Sequence, residues 1–113
     1  MTSQALLHRA QTLIDSGDPR RNRAACWLAR AALEDVVRQR LRDEGYFPGE
    51  ATMRSQLTCL EVACEEGDTA AAAEHAWARL SAACHHHAFE LAPTATETQR
   101  LIDAVRELAG APS

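Results

Sequence analysis

Several features are rare or missing in this 113-residue chain, and each absence excludes a class of protein. Lysine is absent, so all twelve basic residues are arginines. Aromatic residues make up 4% of the chain, and the alternation of apolar and polar residues that half-buried strands need is missing. No apolar run approaches the ~18 residues of a membrane span. The sequence therefore predicts a helical protein that does not cross a membrane.

The four cysteines form no CxxC motif, and the chain is long enough to fold without disulfides. We expect them to be small buried thiols. Because the N-terminus lacks the basic and then apolar layout of a secretory signal, we also expect a cytoplasmic protein. The cysteines concerned are Cys26, Cys59, Cys64 and Cys84.

Glycine, proline and capping residues divide the chain into five predicted helices. Gly17, Asp18 and Pro19 separate the first helix from the second, because proline suits the first turn and aspartate the N-cap. Thr94 and Glu97 form a capping box for the last helix. In residue numbers, the first helix ends near 16, and the others run from 19 to 44, 52 to 66, 68 to 92 and 94 to 108. Gly67 is expected to end the third helix and Asp68 to cap the fourth.

Five helices with short connections predict an all-α antiparallel bundle of four to five helices. We expect one domain over residues 1–113, with a frayed tail from about residue 109. Apolar residues recur at helical spacing in the second and fourth helices, which are expected to form the central pair. These stripes are Ala25, Leu28, Ala29, Ala32, Leu33, Val36, Val37 and Leu41, and then Trp77, Leu80, Cys84, Ala88 and Leu91.

Arginines are concentrated at the start and along the length of the second helix. Seven of the twelve lie between residues 20 and 42, where two carboxylates leave a formal charge of +5. Such a segment can attract a polyanion even though the chain carries a net charge of −4, and a merely solvated face is the alternative. Trp27 could stack on a base, form an oligomer interface or pack under a neighbouring helix. The candidate RNA-binding residues are Arg20, Arg23, Trp27 and Arg30.

Three consecutive histidines, His85, His86 and His87, lie near the end of the fourth predicted helix. Adjacent side chains of a helix point about 100° apart, so these three cannot converge on a metal ion. Pairs such as His86 with Glu90 supply too few ligands, and we predict no metal site. In the same helical phase His86 follows Arg79 by about two turns, so the two side chains share a face, while His87 falls on the core stripe.

A histidine and an arginine on one face suit metal-free cleavage of RNA. The imidazole group, with an ordinary pKa of about 6.5, can accept or donate a proton at neutral pH, and a guanidinium binds a phosphate through two hydrogen bonds. The histidine would activate the 2′-hydroxyl, and the arginine would stabilise the charge that develops on the phosphate. One helix supplies one residue of each kind, so two copies around a two-fold axis would complete the site.

This pattern resembles the HEPN superfamily of small all-α domains, whose R-x4-6-H motif lies in the C-terminal part. Five residues separate Arg79 from His85 and six separate it from His86, and both spacings fit the motif. Leu80 follows the arginine, where active members often carry a polar residue. The resemblance covers about residues 3–108.

The resemblance to this superfamily implies a homodimer with a composite site at its interface. It also implies a metal-independent endoribonuclease without a cofactor, with Arg79 and either His86 or His85 as catalytic residues. In toxin and defence systems such domains often have an antitoxin or defence partner. Two alternatives stay open: a non-catalytic HEPN-like module that binds a partner protein or nucleotide, and an unrelated structural or regulatory bundle with solvated histidines.

Overall fold

The computed structural model describes residues 2–64, 67–85 and 92–110, and its regular structure is helical throughout. No strand occurs in these ranges, which confirms the all-α prediction. Nor does any helix within them combine the length and apolarity that crossing a membrane requires. The elements are α1 (Ser3–Asp15), a 3₁₀ turn (Pro19–Arg21), α2 (Asn22–Asp43), α3 (Met53–Ala63), α4 (Gly67–Cys84) and α5 (Ala95–Gly110).

Local side-chain caps explain where two of the helical segments begin. The Asp18 carboxylate accepts a hydrogen bond from the backbone amide of Arg20 at 3.0 Å, and Pro19 opens the 3₁₀ turn that leads into α2. Thr94 caps α5 by accepting a bond from the amide of Glu97 at 3.0 Å, which confirms the predicted start of the last helix. These caps satisfy amides that have no partner inside the helix.

The predicted boundary between the third and fourth helices differs from the structure. The third helix ends at Ala63 rather than Glu66, and Gly67 is the first residue of α4 rather than the terminator of α3. Asp68 therefore lies in the first turn of α4, where its charge favours the helix N-terminus, instead of at the N-cap. Residues 65 and 66 lie outside the described ranges.

Helix α2 is the centre of the bundle, because it packs against each of the other four helices. Its predicted stripe is confirmed, with six of the eight positions buried and Leu28 and Val36 partly buried. The most extensive partner of α2 is α1, whereas the sequence predicted α4. The buried members of the stripe are Ala25, Ala29, Ala32, Leu33, Val37 and Leu41.

Three of the four cysteines are buried free thiols, as predicted, and one is not. Cys26, Cys64 and Cys84 lie in the core. Cys59 is exposed on α3. It lies outside the face of that helix that is buried, which is formed by Gln56, Leu57 and Leu60. The prediction that every cysteine is buried is wrong at this position.

Candidate functional site

An open cleft of about 250 Å³ lies where the C-terminal end of α4 meets the segment that leads into α5. Four side chains that carry charge or can gain a proton line it: Arg23 from α2, Arg79 from α4, His85 directly after α4, and Glu97 from the first turn of α5. The remaining lining residues are Ala82, Ala83, Ala92, Pro93, Thr94 and Leu101. The cleft is therefore bordered by three helices.

Two of the three residues predicted to be catalytic line this cleft together. Arg79 is exposed and makes no hydrogen bond or ion pair in the part of the chain that the structure describes. His85 is also exposed, and its backbone amide donates to the carbonyl oxygen of Ala82 at 3.3 Å. Since α4 ends at Cys84, His85 reaches the cleft from just beyond the helix rather than from the helical phase assumed in the sequence.

The other predicted candidate, His86, lies outside the described residues, as do His87, Ala88, Glu90 and Leu91. The predicted helical face that joins Arg79 to His86 thus stays a prediction. Within the described residues, it is the shorter motif spacing, from Arg79 to His85, that brings an arginine and a histidine to one cleft.

Arg23 borders the cleft and holds the end of α4 in place. Its Nη1 atom donates to the carbonyl oxygen of Ala83 at 2.7 Å and also to the carbonyl oxygen of His85. The last carbonyls of a helix lack intrahelical partners and carry partial negative charge, so a guanidinium is well matched to them. One nitrogen of this predicted RNA-binding arginine therefore serves the fold.

Two buried polar side chains support the segment between α4 and α5. Asn22, which is 4% exposed, donates from Nδ2 to the carbonyl oxygen of Pro93 at 3.1 Å. The fully buried Thr98 donates its hydroxyl to the carbonyl oxygen of Thr94 at 2.7 Å. Asn22 was not predicted to support this site, because its partner is 71 residues away in sequence.

Arg30, another predicted RNA-binding residue, makes cation–π contacts with two tryptophans. Its Cζ lies 4.3 Å from the ring centroid of Trp77 and 5.6 Å from that of Trp27. Its Nε lies 3.8 Å from the carboxylate of Glu34, and the side chain is 24% exposed. Trp27 itself is 54% exposed, so it is neither buried under a neighbouring helix nor fully exposed to solvent. Arg30 is engaged in intramolecular stacking.

The predicted RNA-binding residues do not form one surface with the cleft. Trp77 and Arg79 are two residues apart on α4, so their side chains point about 200° apart, and the tryptophan stack lies on the other side of the helix from Arg79. Arg20 pairs with Asp18 at 3.1 Å outside the cleft lining. Of the four predicted RNA-binding residues, Arg23 lines the cleft.

Two buried thiols lie near these residues, and both are poor nucleophiles. Burial raises the pKa of the Cys26 thiol, whose sulfur lies 3.6 Å from the hydroxyl oxygen of Thr98. Burial also raises the pKa of the Cys84 thiol, although the charge of nearby Arg30 acts in the opposite direction. Because the thiolate is the reactive form, these cysteines are protonated and inert at neutral pH.

No three metal-ligating side chains come together within residues 2–64, 67–85 and 92–110. Comparisons of the chain with family models, with curated proteins and with solved structures found no match. A functional interpretation therefore depends on the chemistry of the cleft.

Proposed function

We propose that the chain is one subunit of a dimeric, metal-independent endoribonuclease of the HEPN type, such as those of toxin and defence systems. The observation that carries this proposal is that Arg79 and His85 line one cleft and that Arg79 makes no ion pair there with a described residue. An unpaired arginine beside a histidine offers an anion site next to a group that can move a proton.

In this proposal the chemistry is an internal attack within the RNA chain. The 2′-hydroxyl transfers its proton to a histidine, and its oxygen forms a bond to the adjacent phosphorus. The bond between phosphorus and the 5′-oxygen breaks, and that oxygen takes a proton from the second histidine of the dimer. The products are a 2′,3′-cyclic phosphate and a 5′-hydroxyl. Arg79 stabilises the negative charge on the phosphoryl oxygens as the pentavalent transition state forms.

Cleavage of a single-stranded RNA in the presence of EDTA tests the proposal. Arg79→Ala should reduce the rate by about 100-fold or more, the usual effect of removing a group that stabilises the transition state. His85→Ala and His86→Ala are compared to identify the histidine that acts. Arg54→Ala and His8→Ala are matched controls, because both residues are exposed and lie outside the cleft.

Absence of cleavage by the wild-type protein would refute the proposal, as would full activity in Arg79→Ala. Sedimentation under the assay conditions should show a dimer, because a single copy supplies one arginine of the motif. An active monomer would contradict the composite site.

A further inference from the structure

We propose that Arg23 and Arg79 together hold one internal phosphodiester of an RNA backbone in the cleft, and that Glu97 disfavours a terminal phosphate there. The choice of RNA rests on the function proposed above. The binding site itself follows from the donors and charges that line the cleft, and it does not require turnover.

The hydrogen bonds of Arg23 leave one edge of its guanidinium free for a ligand. Nη1 is occupied by the carbonyl oxygens of Ala83 and His85. Nε and Nη2, which form the side edge of the group, have no hydrogen-bond partner among the described residues. That edge has the geometry to donate two parallel hydrogen bonds to a phosphate. Since the fold already holds the side chain, binding an anion costs little additional rotamer freedom.

Arg79 supplies the second cation of the same cleft. It comes from α4, whereas Arg23 comes from α2, so the two guanidinium groups reach the cleft from different helices. Neither forms an ion pair with Glu97 or with any other carboxylate in the described ranges. Both therefore keep a full positive charge available to an anion.

The charge of the cleft favours a singly charged phosphate. Two arginines and Glu97 give a formal charge of +1 for these three side chains. An internal phosphodiester carries one negative charge, whereas a terminal phosphate monoester carries up to two at neutral pH. The extra charge of a monoester would be placed beside the Glu97 carboxylate. The volume of about 250 Å³ is below the roughly 300–1,000 Å³ of pockets that enclose whole small molecules, and suits a backbone group.

Binding of a fluorescent 2′-O-methyl RNA, measured by anisotropy in EDTA at several salt concentrations, tests this proposal without cleavage. The 2′-O-methyl group removes the nucleophile, so failure of the ribonuclease proposal would leave this measurement unaffected. Arg23→Gln should raise Kd about tenfold. It should also reduce the slope of log Kd against log salt concentration by about 0.7, which is the contribution of one phosphate contact in a single strand. Arg54→Gln, exposed on α3, should change neither quantity.

Two further variants separate binding from a structural effect of Arg23. Arg23→Lys keeps the charge but loses the two-pronged edge, so it should weaken binding while retaining the wild-type salt dependence. In competition against the fluorescent RNA, Glu97→Gln should strengthen binding of a 5′-phosphorylated dinucleotide more than binding of an unphosphorylated one. Wild-type Kd and salt dependence in both Arg23 variants would overturn the proposed contact. Equal effects of Glu97→Gln on the two competitors would overturn the discrimination against terminal phosphates.

Discussion

Replacing Arg30 by alanine tests whether this arginine serves the fold rather than RNA. In the structure its guanidinium lies over the Trp77 ring, near the Trp27 ring and beside the Glu34 carboxylate. We expect Arg30→Ala to destabilise the protein and to leave binding of 2′-O-methyl RNA unchanged. The sequence alone made Arg30 a candidate RNA-binding residue, because it belongs to the arginine-rich segment.

The expected loss of stability can be estimated from each contact. The stack on Trp77, at 4.3 Å and partly shielded from water, is worth about 1–2 kcal/mol, and the longer contact with the exposed Trp27 about 0.5 kcal/mol. The ion pair with Glu34 adds at most about 0.5 kcal/mol, because the carboxylate side chain is half exposed. The buried Nε lacks a hydrogen-bond partner in the described structure, so removing it relieves a desolvation penalty of about 1 kcal/mol. The net loss is about 1.5 kcal/mol.

A loss of this size lowers Tm by about 6 °C in a domain of this length. Thermal and urea unfolding measure it, with Arg38→Ala as the control, since Arg38 also lies on α2 but has no ion pair or ring contact in the described structure. Arg30→Lys should lose most of the same stability if stacking dominates over charge. A double-mutant cycle with Trp77→Leu should give a coupling of about 1 kcal/mol. A loss below about 0.5 kcal/mol, or no coupling, would refute the reasoning.

Four further predictions concern the core, the segment before α5 and the thiols. Leu80→Ala should cost about 2–5 kcal/mol in urea unfolding, because the side chain is fully buried and leaves a cavity; a cost under 1 kcal/mol would contradict the described packing. Asn22→Ala should cost about 1–3 kcal/mol, because it leaves a buried carbonyl without its donor; wild-type stability would contradict this role. A thiol reagent should modify Cys59 first, and Cys59→Ser should abolish that fast phase. Stability should fall as pH rises above about 9, because unfolded thiols ionise more readily than those whose pKa burial raises, namely Cys26 and Cys84; unchanged stability would contradict this.

The parts of the fold that the sequence predicts well are those that local chemistry determines. Asp18 and Thr94 cap the helices that they were expected to cap, because the acceptor and its amide are two or three residues apart. The stripe of α2 is buried because helical spacing defines its face. Gly67 was misassigned, since a glycine that follows acidic residues can equally end one helix or begin the next.

Properties that depend on which helices meet were harder to predict. The spacing of apolar residues shows that α2 has a buried face, but it does not show that α1 covers more of that face than α4 does. Cys59 illustrates the same limit, because the burial habit of cysteine does not identify the outer side of a short helix. The motif placed Arg79 and His85 together, yet it contained no signal for Asn22, whose role depends on a contact across the bundle.

Arg23 and Arg30 show why charge density in a sequence does not define a binding surface. They are seven residues apart on α2, about two turns, so they share a face. Sequence spacing alone therefore gives no reason to assign them different roles. The antiparallel α4 presents different groups along that face: backbone carbonyls at its C-terminal end and the Trp77 ring about two turns earlier. The carbonyls occupy one nitrogen of Arg23, whose side chain also lines the cleft, whereas the Arg30 guanidinium contacts the Trp77 and Trp27 rings. Replacing Arg23 should therefore weaken RNA binding and replacing Arg30 should not, although both belong to the same positive segment.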